Sequence, residues 1–247
     1  MARLPRFFLP GYPLHVIQRG NNRAVTFRSS EDCIHYLQLL DAAAARNGLE
    51  IHGYTLMSNH VHLVATPRDP EGLPHTMQAL GRSYVLWFNR KYGRTGTLWE
   101  GRYRATIVDT DRYLLTCQKY VEENSLRAGM VEDPAAYRWS SFRANALGED
   151  DPIVVPHHVY TSLARDSVSR QAAYRGLFTQ PVSMQELRAI RNATNHAWAL
   201  GDSAFQRRIE DETGRRAAPL APGPRCRRRV DAELLRHPEL PTDEIRL

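Results

Sequence analysis

Cysteine is scarce in this sequence: Cys33, Cys117 and Cys226 are the only three in 247 residues, and they lie far apart. None stands in a CxxC pair, so a cysteine-built zinc site is not expected, and the odd count argues against a disulfide framework. Buried or inert thiols in a reducing compartment are the plain expectation. Missing too is any apolar run long enough to cross a bilayer. The opening residues lack the pattern of a secretory leader, so residence in the cytoplasm is expected. No internal repeat stands out. The surplus of one charge is modest, 33 Lys and Arg against 27 Asp and Glu, a net +6. Such an excess suits a polyanionic partner without requiring one. The length allows one large domain, or an ordinary one with an extension.

The residues that are present fall into a clear order. Alternation around Leu14 and Ile17 predicts a strand, and Gly20-Asn21-Asn22 a turn. Ser29 or Ser30 is a candidate cap for a helix carrying Ile34, Leu37, Leu40 and Ala44, which Asn47-Gly48 stops. Strands are expected at Glu50 to Leu56 and Val61 to Ala65, close enough together to make a hairpin. A second helix is expected from about Leu73 to Tyr92, a strand from Leu98 to Val108, and a third helix from about Asp111 to Ala128, ended by Gly129. The order strand, helix, strand, strand, helix, strand, helix predicts an α+β fold of the ferredoxin-like, split βαβ plan. That plan has an antiparallel sheet with helices on one face. Residues 1–145 are expected to form this domain and 146–218 a mainly helical C-terminal extension. Residues 144–156 read as acidic loop, and in the extension helices are expected at Val159 to Phe178, Met184 to Ile190 and Ser203 to Thr213. Residues 219–247, with Arg225 and Arg227 to Arg229, read as a flexible basic tail. The helices around Ile190 to Thr213 suit either a small DNA-binding unit or packing against the first domain.

Two constellations bear chemistry. In His60-Val61-His62 the imidazoles are two apart, so on a strand they share a face and can hold one divalent ion. Histidine pairs also occur at core edges. In CQKYVEEN, Tyr120 and Asn124 are one helical turn apart and share a face. Tyr120 is equally suited to packing, and Asn124 to the end of a helix. Together, two imidazoles and an amide oxygen make a three-donor site with open positions for a phosphate oxygen, and Tyr120 is placed to attack the phosphorus. A phenol is a weak nucleophile until a metal, a base or positive charge helps it. Gln118, Lys119 and Arg127 are the nearby candidates for that help.

Four stretches carry a resemblance: HVIQRGNNR (15–23), YTLMSNHVHLV (54–64), LWEGRYRATIV (98–108) and YVEENSLRAGMV (120–131). They resemble the REP-associated tyrosine transposases, relatives of the single-tyrosine insertion-sequence transposases, over about residues 5–145. The resemblance implies the His-hydrophobic-His (HUH) nuclease fold and cleavage and rejoining of single-stranded DNA beside a short hairpin. It further implies a tyrosine linked to the 5′ phosphate, with Tyr120 as nucleophile, His60, His62 and Asn124 as metal ligands, and Mg2+ or Mn2+ as the ion. Here Ser125 follows the asparagine where the family usually has proline, so the third helix is expected to run slightly longer or end less sharply. The tail's Gly223-Pro224-Arg225 stands where the family often ends in a GRP-like basic segment.

DNA contacts are expected from Arg19, Asn21, Asn22 and Arg23 around the first turn, and from Arg102 and Arg104 on one face of a strand. Tyr12, Trp99 and Tyr103 are candidate stacking surfaces. The expected partner is hairpin-forming, REP-like single-stranded DNA, with no membrane partner. The protein is expected to act as a monomer or homodimer associated with the nucleoid. Two other readings use the same residues: a non-catalytic hairpin binder or repressor on the same fold, and a hydrolase in which the histidine pair activates water.

Overall fold

The structure is a computed structural model that describes residue 7 and residues 9–219. The expected basic tail after 219, with Cys226, lies outside the described residues. Four strands, Leu14–Arg19 (β1), Leu49–Met57 (β2), His60–Pro67 (β3) and Arg104–Ile107 (β4), form one sheet in the order β2-β3-β1-β4. Every pairing is antiparallel. Helices Ser30–Arg46 (α1), Gly72–Lys91 (α2) and Thr110–Glu122 (α3) follow β1, β3 and β4. This is the expected order, and it places β1 and β3 at the centre of a ferredoxin-like sheet.

Local chemistry explains the element ends. Ser29 and Asp32 form a reciprocal capping box on α1. Ser58 and Asn59 alone separate β2 from β3, so the hairpin is tight and His60 opens the strand. Only the last part of the expected fourth strand is strand. Before it, Leu98 and Trp99 turn into the core, and Gly101 sits at φ 69°.

The sheet is covered on both sides. Leu14, Val16, Leu56, Leu63 and Ala65 point to one face, where they pack against Tyr36 and Leu40 of α1 and Leu80, Tyr84 and Phe88 of α2. The one-face arrangement therefore holds for α1 and α2. The third helix lies on the opposite face, because its Leu114, Cys117, Tyr120 and Val121 form a stripe that packs with Val64. It also ends earlier than expected. Glu123 (ψ 2°) breaks it, and a single separate turn, Asn124–Arg127 (α4), follows. The side-chain amide of Asn124 donates to the Tyr120 and Val121 carbonyls at 3.1 and 3.0 Å, so it caps α3 without proline.

Beyond residue 145 the chain returns to this sheet. A π-helical turn, Arg143–Leu147, opens the expected acidic loop. The single helix expected at 159–178 divides into His158–Thr161 (α5) and Ser167–Gly176 (α6), the second capped by Asp166. Helix Met184–His196 (α7) runs past the expected Ile190, and its Ile190 and Ala193 join the α3-side core. Helix Ser203–Thr213 (α8) sends Phe205 and Ile209 into the larger core. Tyr160 of α5 and Tyr174 of α6 form a separate cluster with Phe142 and Ala146, whereas the helices between Ile190 and Thr213 pack against the first domain, the second of the two arrangements open for them. No described helix is long and apolar enough to cross a membrane.

Candidate active site

The antiparallel register sets the site. His62 stands opposite Ile17 of β1 and Thr55 of β2, and His60 opposite Arg19 and Met57. Strand alternation turns His60, His62 and His15 to the α3 side of the sheet, and α3 brings Tyr120 over them. The His60 and His62 rings are 5.0 Å apart between centroids and steeply inclined at 74°. The Tyr120 ring is edge-on to His62 at 6.0 Å and to His15 at 5.7 Å. The two histidines and the tyrosine therefore share one place, with Asn124 one turn beyond Tyr120.

The hydrogen bonds leave each prospective donor atom defined. Asn59 donates its Nδ2–H to the Arg23 carbonyl at 3.0 Å, so its Oδ1 is an acceptor. It accepts from His60 Nδ1 at 2.7 Å, which leaves the lone pair of His60 on Nε2. His62 Nδ1 lies 2.9 Å from His15 Nε2, so His62 too has Nε2 left for an ion. Asn124 spends its amide N–H groups on two carbonyls and keeps Oδ1 for coordination. Burial holds all three histidines neutral: His60 is pulled down to about 4, His15 to about 3, and His62 well below its ordinary value. The Arg19 charge adds to this at His60 and His62. Neutral imidazole is the form that binds a metal.

Among the described residues no three His, Cys, Asp or Glu side chains group as a ligand set. An ion here would draw on two imidazoles and an amide oxygen. That mixed nitrogen and oxygen set fits a divalent transition metal such as Mn2+, and is a poorer match for the all-oxygen preference of Mg2+.

Of the three candidate helpers, Arg127 alone meets Tyr120. Its guanidinium carbon lies 4.2 Å from the ring centroid, and it donates to the Tyr120 carbonyl. It is also paired with Glu123 at 3.4 Å. Gln118 donates to the His52 carbonyl, and Lys119 bonds the Gln180 carbonyl and sits 3.7 Å from Glu123.

Arg19, Arg102 and Arg104 are exposed and line one small cleft with Ile17, Glu100, Thr194 and Asn195. Arg102 precedes β4 and reaches the cleft from a loop, not from the strand expected for it. Asn21, Asn22 and Arg23 form a 3-10 turn, with Asn22 and Arg23 exposed and both at positive φ. The turn is tied to the β2–β3 hairpin through Asn59 and through Gly20 N to the Asn59 carbonyl. Trp99 and Tyr103 are buried, and Tyr12 packs on Phe205 and donates to Glu212, so these three form no exposed stacking surface. Sequence reasoning missed Asn59, His15 and Thr194 as partners of the site. The first two lie inside the motif stretches, whereas nothing local marks Thr194.

Residues 10–124 match the family described as IS200-like transposases. That segment is a little under half of the chain and holds the first three motif stretches and the start of the fourth. A comparison with curated proteins finds no significant match. Solved structures similar to it include a REP-associated tyrosine transposase bound to a REP hairpin, 17% identical, covering 64% of this chain and 93% of that one with a TM-score of 0.46. Another is described as a transposase, from Deinococcus radiodurans R1, 22% identical, covering 50% of this chain and 97% of that one with a TM-score of 0.35.

Proposed function

We propose that the protein cleaves and rejoins single-stranded DNA beside a hairpin, in the manner of the REP-associated branch, with Tyr120 as nucleophile and His60, His62 and Asn124 holding a divalent ion. The observation that carries this is the convergence of Tyr120 with two imidazoles, each with its Nδ1 engaged in a hydrogen bond and its Nε2 left over. A bound Mn2+ or Mg2+ supplies Lewis-acid activation of the phosphate. Tyr120 loses its phenolic proton, its Oη–P bond forms, and the bond from phosphorus to the 3′ oxygen breaks and leaves a 3′ hydroxyl. Attack by a strand's 3′ hydroxyl on the 5′-phosphotyrosine reverses the step and joins the ends. Arg127, over the Tyr120 ring, stabilises negative charge on the phenolate as it forms and as it leaves. The Arg19, Arg102 and Arg104 cleft takes in Ile17 and Arg19, the strand partners of His62 and His60, and suits the phosphates of the strand being cut. The turn of Asn21, Asn22 and Arg23, fixed to the same hairpin as His60, is a second DNA contact.

The test is a denaturing gel for a covalent protein–DNA adduct, using end-labelled hairpin single strands with Mn2+ or Mg2+. Wild type is expected to form the adduct and Tyr120→Phe to form none. His60→Ala is expected to lose the metal-dependent cut while keeping its fold. Cleavage that survives in Tyr120→Phe would point to activated water. DNA binding with no adduct from any hairpin would leave a binding protein.

A further inference from the structure

We infer that Thr194, on α7, acts through His15 as a positioning residue that holds His62 in the tautomer that leaves its Nε2 bare for an ion. This rests on the reading of His62 as a metal ligand, and it places α7, outside the matched segment 10–124, in the construction of the site.

A buried chain of hydrogen bonds fixes where each proton lies. The Thr194 hydroxyl carries one hydrogen, and it donates that hydrogen to the Ile190 carbonyl one turn back, at 2.8 Å. Toward His15 Nδ1, at 3.1 Å, it therefore only accepts, and His15 Nδ1 carries the proton. A neutral imidazole has a single N–H, so His15 Nε2 holds a lone pair. Its neighbour at 2.9 Å, His62 Nδ1, must then be the donor. The His62 proton is fixed on Nδ1, and Nε2 is left bare. The ring geometry agrees. The two planes differ by 7° and the centroids are 5.2 Å apart, the spacing of coplanar rings joined edge to edge by an N–H···N bond.

Without the threonine oxygen, nothing chooses between the two directions of that bond. The reversed form, His15 Nε2–H donating to His62 Nδ1, puts the remaining His62 proton on Nε2 and blocks coordination there. All three residues are buried: His15 is 0% exposed, His62 and Thr194 3% each. Water is therefore poorly placed to stand in for the missing oxygen. Groups that orient a metal-binding histidine in this way typically change metal affinity about 10–100-fold when removed.

The experiment uses the full chain labelled with 15N-histidine. Ring-nitrogen NMR of the metal-free protein reads the tautomers directly, and a Mn2+ titration followed by EPR reads affinity. Wild type is expected to show His15 and His62 both protonated at Nδ1. Thr194→Val is expected to shift protonation of both rings toward Nε2 and weaken Mn2+ binding roughly 10–100-fold, and Thr194→Ser to restore both. Nε2–H on either ring of wild type would overturn the inference even if Thr194→Val does not fold. Unchanged tautomers and unchanged Mn2+ affinity in Thr194→Val would overturn it as well. Nδ1–H rings that Mn2+ leaves unbroadened would support the relay and remove the metal reading instead.

Discussion

At Tyr120 the balance lies between packing and reactivity. The side chain is 7% exposed and belongs to the α3-side core, yet its ring meets two imidazoles and a guanidinium. A cation over a partly desolvated ring is worth about 0.5–2 kcal/mol, and more once the oxygen ionises. Arg127→Ala is therefore expected to slow adduct formation by about tenfold or more, since 1.36 kcal/mol of barrier is about tenfold in rate. Arg127→Lys keeps the charge and loses the planar donor set, so an intermediate rate is expected. Single-turnover rates on one hairpin check both, and equal rates in all three proteins would remove Arg127 from the chemistry. For DNA affinity the residues to change are Arg19 and Arg102. Replacing either by alanine should weaken binding and lower the slope of log affinity against log salt by about 0.7 for one single-strand phosphate contact. A salt titration that leaves the slope unchanged would exclude that contact.

The turn at Gly20 and the break after α3 decide where the site residues stand. Gly20 sits at φ −63°, so space and not conformation demands glycine: a Cβ there would lie 2.2 Å from the Ala24 carbonyl oxygen. Gly20→Ala is expected to destabilise by on the order of 1–3 kcal/mol. It should also weaken metal binding, because the turn supplies the Arg23 carbonyl that orients Asn59; a thermal melt and a Mn2+ titration read the two effects. On α3, Glu122 is buried and accepts from Ser141 at 2.6 Å, Asn145 at 2.8 Å and Tyr174 at 2.8 Å, tying the helix to the π turn and to α6. Burial pushes its carboxyl up to about 7, from an ordinary 4.5. Its contribution to stability is full below pH 4.5 and is lost as pH rises through 7. His60 and His15, lowered from 6.5 to about 4 and about 3, act in the opposite sense. Their contribution is full above pH 6.5 and falls as the solution is acidified. Glu122→Gln therefore removes the term that resists acid, and its melting temperature should drop more between pH 7 and pH 5 than that of wild type. Parallel curves in EDTA would show that Glu122 does not titrate in this range.

Over the whole molecule, α7 closes the face of the sheet that holds the site. Its Ile190 and Ala193 pack with Val64, Val108 and Cys117, and Leu200 bonds back to the end of β4. Removing residues 183–247 is expected to expose this apolar surface. Such a truncation should bind a hydrophobic dye in its native-buffer state and melt at a lower temperature. A truncated protein with an unchanged melt would show that the sheet stands without α7. The same helix carries Thr194 to His15 and Asn195 to Arg104, the latter at 2.8 Å, so one element touches both the histidine chain and the basic cleft.

What the sequence determined by itself was whatever depends on short spacing. Strand alternation put His60 and His62 on one face, the four-residue spacing put Asn124 one turn from Tyr120, and Ser29 or Ser30 marked the start of α1. The sheet order followed from the succession of elements. Tertiary structure decided the rest, because the deciding contacts join residues distant in the chain. His15 and His62 are 47 apart and His15 and Thr194 179 apart, and no local pattern reports such a pair. The choice of Arg127 over Lys119 and Gln118 turned on which carbonyl each side chain reaches. The place of α3, across the sheet from α1 and α2, turned on which apolar stripe was left to cover Val64. Even the end of α3 was settled by the Asn124 amide, which takes two carbonyls where Ser125, in place of the family's usual proline, had predicted a longer helix.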